Sequence, residues 1–298
     1  MTRMHWSILV NPAAGRRGQS AEAVASLVSQ RGIDATITTT ESADHLAAVT
    51  REHVEMGTRG FVAVGGDGTA NLVLNAIMKS GATEHDRFAL GVVAAGSGSD
   101  FVRTFGHSGR IDDGFDRIAD PEFYTIDIGH MTGSFGQNYF LNAANAGVGA
   151  ASALCAAKLP KRLGSVRYSL GFWLSLPRFP VRQVTVTVGE HRFEGEAINI
   201  VVANGQFFAG GMNIAPRATL VDGLLDVQVF QAPKRLAFTV MPRVIRGSHL
   251  THTSVRRYVG SSIELHVPDQ WPIEADGEVL GQGTVSITTI RGAIDFVT

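Results

Sequence analysis

Alternation of strand-length apolar runs with helical patterns narrows the fold of this sequence more than any other feature. "HWSILVNP" reads as a buried strand ending at Asn11-Pro12, followed by "AAGRRG" and an amphipathic helix near Ser20–Arg31. "DATITTTES" reads as a second strand, with Ser42–Glu55 helical. "GFVAVGG" is a third strand, "TANLVLNAIMKSG" a helix with a glycine stop, and "FALGVVAAGSGSDFVRTFG" a fourth strand, loop and short helix. Such alternation predicts a parallel sheet with helices on both faces, and ligands then sit beyond the carboxyl ends of the strands. Three glycine-rich loops fall at those ends: Asn11–Gly18, Gly65–Thr69 and Ala95–Asp100.

From about Asp127 the pattern changes. Short strands such as "YTIDIGHMTG", "GLLDVQVF", "SIELHVP" and "TVSITTI" are separated by turns, and Gly189-Glu190 marks a hairpin. This half reads as an all-β, sandwich-like domain interrupted by helical stretches near Ala150–Pro177 and Lys234–Arg246. The expected division is 1–126 and 127–288.

Composition sets outer bounds. With 298 residues, 44% hydrophobic and 18% charged, the chain is globular and long enough for two domains. Cys155, the single cysteine, excludes an internal disulfide framework and fits a reducing compartment. The first residues make a poor signal peptide and no run of 18 apolar residues occurs, so a cytoplasmic protein is expected, with attachment to a membrane surface left open. Residues 1–126 hold eleven Lys and Arg against fifteen Asp and Glu, and the rest hold fifteen against twelve. Lys158–Arg182 and Pro233–Tyr258 contain no acid at all. No nucleic-acid partner is expected from so neutral a chain, but one face could meet an anionic surface.

The stretch "VAVGGDGTAN" poses the chemical question. A strand, then Gly65-Gly66-Asp67-Gly68-Thr69, then a helix starting near Ala70 offers backbone N–H groups and a helix N-terminus to an anion. Thr69 supplies either a hydroxyl donor or the helix cap. Asp67 would repel phosphate unless a cation such as magnesium lies between them. The other reading is an ordinary capped turn. "EADGEVL" by itself reads as a hairpin turn on the favoured Asp-Gly pair. "KLPKRLGSVRYSLGFWLSLPRFPVR" mixes six basic residues with Tyr168, Phe172, Trp173 and Phe179. It reads as a membrane-facing patch or as core-packing aromatics with a solvated basic face.

Taken in order, these motifs resemble the diacylglycerol kinase catalytic-domain family, which includes bacterial lipid kinases and the sphingosine and ceramide kinases. The resemblance rests on Gly65–Thr69 with Asn71 following, on "NPAAGRRG", on Thr40 at the end of the second strand, and on "AAGSGSDFVRTFG" with Asp100, Phe101 and Arg103. "APRATLVDGLLDVQVF" and "EADGEVL" carry it into the second half, so it spans nearly the whole chain. Ser97 and Ser99 depart from the threonine and asparagine usual in the family; Ser97 keeps the hydroxyl, and Ser99 loses the amide.

The resemblance implies a Rossmann-like α/β nucleotide-binding domain, a β-sandwich-like lipid kinase domain, an active site in the cleft between them, and a return strand at 289–298. ATP and Mg2+ are the implied cofactors. Asn11, Pro12, Ala13, Ala14, Gly15, Thr40, Gly65, Gly66, Asp67, Gly68, Thr69, Asn71, Ser97 and Asp100 would hold the nucleotide. Asp67 and Asp100 would organise magnesium, and Glu278 or Asp276 would take the proton from a lipid hydroxyl. Asp222 with the carbonyls of Thr219 and Leu224 would bind a structural Mg2+ supported by Asp226; a plain β-turn is the other reading. A lipid substrate, a membrane surface and a homodimer are the partners considered. With a lipid substrate, the aromatics of the basic segment would instead line an acyl-chain cleft. Two alternatives stand beside this: an NAD kinase-like enzyme with a soluble acceptor, and a non-catalytic lipid- or nucleotide-binding protein suggested by Ser97 and Ser99.

Overall fold

The computed structural model describes residues 4–12, 20–81, 87–94, 100–160, 163–164, 166–231 and 233–298. The chain divides into two compact units, residues 1–126 with 292–298, and residues 127–291.

The first unit is α/β. Its elements are β1 (Trp6–Val10), α1 (Ala21–Gln30), β2 (Ala35–Thr39), α2 (Ala43–Glu55), β3 (Gly60–Gly65), α3 (Asp67–Lys79), β4 (Ala89–Ala94), α4 (Asp100–Arg103) and α5 (Ile111–Ala119). Every residue of β1, β3 and β4 is buried, as strands covered by helices on both faces must be. The strands run parallel in the order β2-β1-β3-β4, and Asp295 and Phe296 near the chain end add a further parallel partner beside β4. Parallel pairing of β1, β3 and β4 brings their carboxyl ends to one edge, where Val10 pairs Val64 and Gly65 pairs Ala94.

Ser20 and Ser42 each accept a backbone N–H at the start of α1 and α2, satisfying donors that a helix start leaves open. Two features differ from the sequence reading. Helix α3 begins at Asp67 rather than near Ala70, with Gly66 in extended conformation as its N-cap. An acid in the first turn suits the helix dipole, so the helix extends back through the glycines. Helix α5, absent from the sequence reading, carries Ile111, Phe115 and Ile118 at helical spacing on one face. It is held by buried Phe115 and Ile118, and by Gly114, where a Cβ would stand 3.0 Å from Val93.

The second unit is a β-sandwich. β5 (Phe123–Gly133) leads into it, followed by β6 (Gly136–Phe140), β7 (Ala143–Gly147), α6 (Val148–Lys158), α7 (Val166–Ser175), β8 (Arg182–Val188), β9 (His191–Ala197) and β10 (Asn199–Ala203). Then come β11 (Phe207–Phe208), β12 (Met212–Asn213), β13 (Leu225–Phe230), α8 (Ala237–Ile245), β14 (Val255–Gly260), β15 (Ser262–His266), β16 (Pro272–Ala275), β17 (Glu278–Gln282) and β18 (Val285–Val297). One sheet joins β9, β8, β15 and β18, with β5 pairing β18 and β6. The other runs β14-β13-β10-β7-β16-β17. Alternate side chains of both sheets, among them Val186, Ile263 and Ile287 from one and Ile200, Val227 and Ile273 from the other, form one apolar core. The expected hairpin is present, with Val188 paired to His191 across Gly189-Glu190 and Gly189 at φ +55°.

Candidate active site

At the strand ends of the first unit, Asn11 donates its backbone N–H to Val64 at 3.1 Å and its side-chain amide to Thr69 Oγ1 at 3.1 Å. Thr69 is buried against Gly65, where a Cβ would lie 2.3 Å from the Thr69 hydroxyl oxygen. Glycine is therefore required at 65 by packing. Thr69 does not cap α3, contrary to one sequence expectation, because the earlier helix start places it inside the first turn. Thr40 is buried and donates its hydroxyl to the Val10 carbonyl at 3.1 Å, joining the ends of β1 and β2. Asn71, also buried, accepts from Asn75 at 3.0 Å.

Gly66 and Gly68 behave differently from Gly65. Neither has a positive φ, and a Cβ at either would meet no atom of the described residues within 4 Å. Nothing in the described residues demands glycine there, so the space these leave beside a helix N-terminus suits a ligand that approaches the backbone.

Asp67 has a defined role in this arrangement. Its carboxylate accepts the backbone N–H of Asp100 at 2.8 Å and of Phe101 at 3.3 Å, which ties the start of α4 to the start of α3. Asp100 is 6% exposed, with the Arg103 guanidinium 3.9 Å away. Pro12 lies at an exposed turn, while Ala13, Ala14, Gly15, Ser97 and Ser99 lie outside the described residues.

In the second unit, β16 and β17 form a hairpin with Asp276-Gly277 at its tip, at φ +48° and +88°. The turn reading of this segment is thus correct in geometry, yet the turn is more than a connection. The Asp276 carboxylate accepts three backbone N–H groups: Leu141 at 2.8 Å, Asn142 at 3.0 Å and Ala143 at 3.0 Å. These fix the hairpin tip to the start of β7. Glu278 follows on β17 with its side chain opening to solvent at one side. Burial of its other side, and then the Asp276 carboxylate, raise its pKa above the ordinary glutamate value.

Glu274 and Asn145 did not figure in the sequence reading. Glu274 is fully buried; it accepts the Asn145 amide and, at 2.8 Å, the Gly277 N–H. Burial pushes its pKa up to about 8 against those two hydrogen bonds, which favour the ionised form. The available signal was an acid inside the apolar run "WPIEA".

An apolar cavity opens beside this group, lined by Val148, Phe172, Leu176, Phe230, Val240 and Met241, with Asn145 and Asn199 among its few polar side chains. A second chamber shares Phe172 and Met241 with it and adds Tyr168 and Trp173. The aromatics of the basic segment therefore line cavities or, as with Phe179 on Trp271 at 5.4 Å, pack in the core.

At the turn of Asp222, Gly223 has φ +75° and donates to Asp127 at 2.6 Å. Asp222 Oδ1 accepts the Leu224 N–H at 3.0 Å. Asp226 pairs with Arg257 at 2.6 Å. Oxygen donors of the kind Mg2+ takes are present, but the Arg291 guanidinium already packs on Gly223 and reaches the Asp222 carbonyl at 3.4 Å. Among the described residues no three His, Cys, Asp or Glu side chains are grouped for a metal.

Comparison with known proteins identifies both halves of the chain. Residues 5–131 match the model of the diacylglycerol kinase catalytic domain, and residues 142–298 match that of the YegS C-terminal NAD kinase beta sandwich-like domain. A Shewanella frigidimarina protein named "Probable lipid kinase YegS-like" is 27% identical over 100% of this chain and 94% of its own length. A Bacillus subtilis diacylglycerol kinase is 27% identical over 92% of this chain and 89% of its own. The crystal structure of a diacylglycerol kinase from Bacillus anthracis str. Sterne superimposes with a TM-score of 0.72 at 17% identity, covering 100% of this chain and 97% of that one, and so shares its fold. The chain belongs to the diacylglycerol kinase catalytic-domain family.

Proposed function

We propose that this kinase transfers the γ-phosphoryl group of ATP to a hydroxyl of a lipid, diacylglycerol being the reference acceptor. The observation that carries the reading is the apolar cavity whose polar end, Asn145, is hydrogen-bonded through Glu274 to the turn before Glu278. A slot of this kind holds hydrocarbon and presents one hydroxyl to a carboxylate.

The nucleotide would lie at the ends of β1, β3 and β4. Gly66 and Gly68 leave room for phosphate, with the N-terminus of α3 favouring its charge. Asn11, Pro12, Thr40, Gly65, Thr69 and Asn71 shape that edge. Two carboxylates, Asp67 and Asp100, fit Mg2+ held mainly through substrate phosphates, since each carboxylate oxygen can accept more than one partner. Bound there, Mg2+ would neutralise charge on the phosphate oxygens. Glu278 takes the proton of the acceptor hydroxyl as its oxygen bonds to the γ-phosphorus and ADP leaves. Asp276, anchored by three N–H groups, holds the turn and is the weaker choice for the base.

Incubation with labelled ATP, Mg2+ and vesicles containing dioleoylglycerol should place label on the lipid, and omission of Mg2+ should abolish it. Label on no lipid hydroxyl contradicts the reading.

Access to such an acceptor fits a surface on the helices of the second unit. Val166, Leu170 and Leu174 are spaced by four on α7 and exposed, and Phe238 and Ile245 on α8 are 68% and 55% exposed. These helices lie in the two acid-free stretches. Apolar side chains amid basic ones suit an anionic bilayer surface. No described helix is long and apolar enough to cross a membrane. Leu170→Glu with Leu174→Glu should reduce co-sedimentation with phosphatidylglycerol vesicles by about 10-fold or more and leave Tm unchanged. Full vesicle binding together with loss of a dimer in the variant would assign the surface to a second copy instead.

A further inference from the structure

Side-chain and backbone groups form one continuous hydrogen-bonded chain between the cavity and the hairpin tip. Gly149 N–H at the start of α6 donates to Asn199 Oδ1 at 2.8 Å. Asn199 Nδ2 donates to Asn145 Oδ1 at 3.3 Å, and Asn145 Nδ2 donates to Glu274 Oε1. Gly277 N–H donates to Glu274 Oε2 at 2.8 Å from the other end. Both ends are backbone N–H groups, which only donate and cannot turn round. That fixes the orientation of both amides and requires a group at 274 that accepts twice. An ionised carboxylate does so, and with its pKa pushed up to about 8 Glu274 takes this form above that pH; an amide of the same shape presents one acceptor and one donor.

We infer that Glu274 is a positioning residue that holds the Asp276-Gly277 turn, and with it Glu278, in register with the polar end of the acceptor cavity. The inference rests on the reading of Glu278 as base and of the cavity as acceptor slot. Asn145, Asn199 and Gly149 all line that cavity, and Gly277 immediately precedes Glu278. Filling the slot therefore bears on the same chain that sets the turn. The site is shielded: Glu274 is 0% and Asn145 3% exposed.

The chain makes a reciprocal prediction. Glu274→Gln turns a donor towards Asn145 Nδ2, and no rotation of the amides removes the conflict. Asn145→Asp sets two carboxyl groups face to face. In the double variant, the amide introduced at position 274 accepts from Gly277 and donates to the carboxylate introduced at position 145. That carboxylate also accepts from Asn199, so every group is paired again.

At about pH 9, where Glu274 is ionised, the test measures kcat, KM for dioleoylglycerol in mixed vesicles, and Tm for the wild type, both single variants, the double variant and Asn199→Ala. Each single variant should lose about 10-fold in kcat, the scale of one buried donor left unpaired, with KM changed less than threefold. The double variant should recover most of that loss. Asn199→Ala, which removes only the far link at a half-buried position, should show a smaller drop of the same kind. Glu274→Gln within twofold of wild type, or a double variant no better than the weaker single one, overturns the inference. If a single variant does not fold, recovery of folding and kcat in the double variant supports it, and continued loss overturns it. A wild type inactive on every lipid would instead defeat the functional reading. The double-mutant cycle in Tm would still report whether the chain exists: coupling supports it, and additivity overturns it.

Discussion

Glu278→Gln is expected to lower kcat for lipid phosphorylation by about 10²–10⁴-fold, the usual contribution of a general base, while ATP affinity and Tm stay near wild type. The residue lies at the first position of β17 with its side chain open to solvent, so the substitution creates no cavity. Glutamine keeps the length and polarity but cannot take a proton. The raised pKa of Glu278 adds a second expectation. The base works only when ionised, so the acid limb of the kcat profile should lie above the ordinary glutamate range and vanish in Glu278→Gln. A variant with full kcat would remove Glu278 from the reaction; an acid limb that survives near about pH 8 would be that of Glu274. Asp276→Asn should behave differently. It disturbs three backbone hydrogen bonds and should lower Tm as well as kcat.

Asp67→Asn is expected to lower kcat by about 10²–10³-fold, comparable to removing one preorganised electrostatic group from an active site. The side chain has two separable tasks. Structurally, its two oxygens accept the N–H groups of Asp100 and Phe101. Asparagine can accept only one of them and points a donor at the other, which costs about 1–3 kcal/mol if that group stays buried. Chemically, Asn removes one of the two carboxylates proposed to hold Mg2+. Titrating Mg2+ separates the tasks. A raised Mg2+ requirement with partial recovery of kcat at saturation marks the metal role. An unchanged Mg2+ requirement with lowered Tm marks Asp67 as a strut between α3 and α4 alone.

The sequence made the architecture legible because its periodicities are strong and local. Fully apolar runs mark β1, β3 and β4, and serines stand where α1 and α2 start. The start of α3 was less legible, since glycines suggest loop by propensity while Asp67 at the first turn favours helix. Helix α5 was legible but not read: Ile111, Phe115 and Ile118 in "IDDGFDRIA" recur at helical spacing, and burial of Phe115 and Ile118 follows from it. The candidate residues were found through short motifs, but not their partners. No local pattern says that Asp276 will meet residues 141–143, some 135 positions earlier, or that Glu274 will meet Asn145. Such pairs depend on β7 and β16 lying side by side, a long-range pairing visible only in the fold. Gly66 and Gly68 gain meaning the same way, since no described residue would meet a Cβ at either.

The central claim is that the acceptor is a lipid hydroxyl, and one comparison tests it most directly. Purified protein is given labelled ATP and Mg2+ with dioleoylglycerol vesicles in one reaction and NAD in another, and the products are separated and counted. The account predicts label on the lipid, none on NAD, and loss of lipid label in Glu278→Gln. Label on NAD with none on any lipid would contradict it.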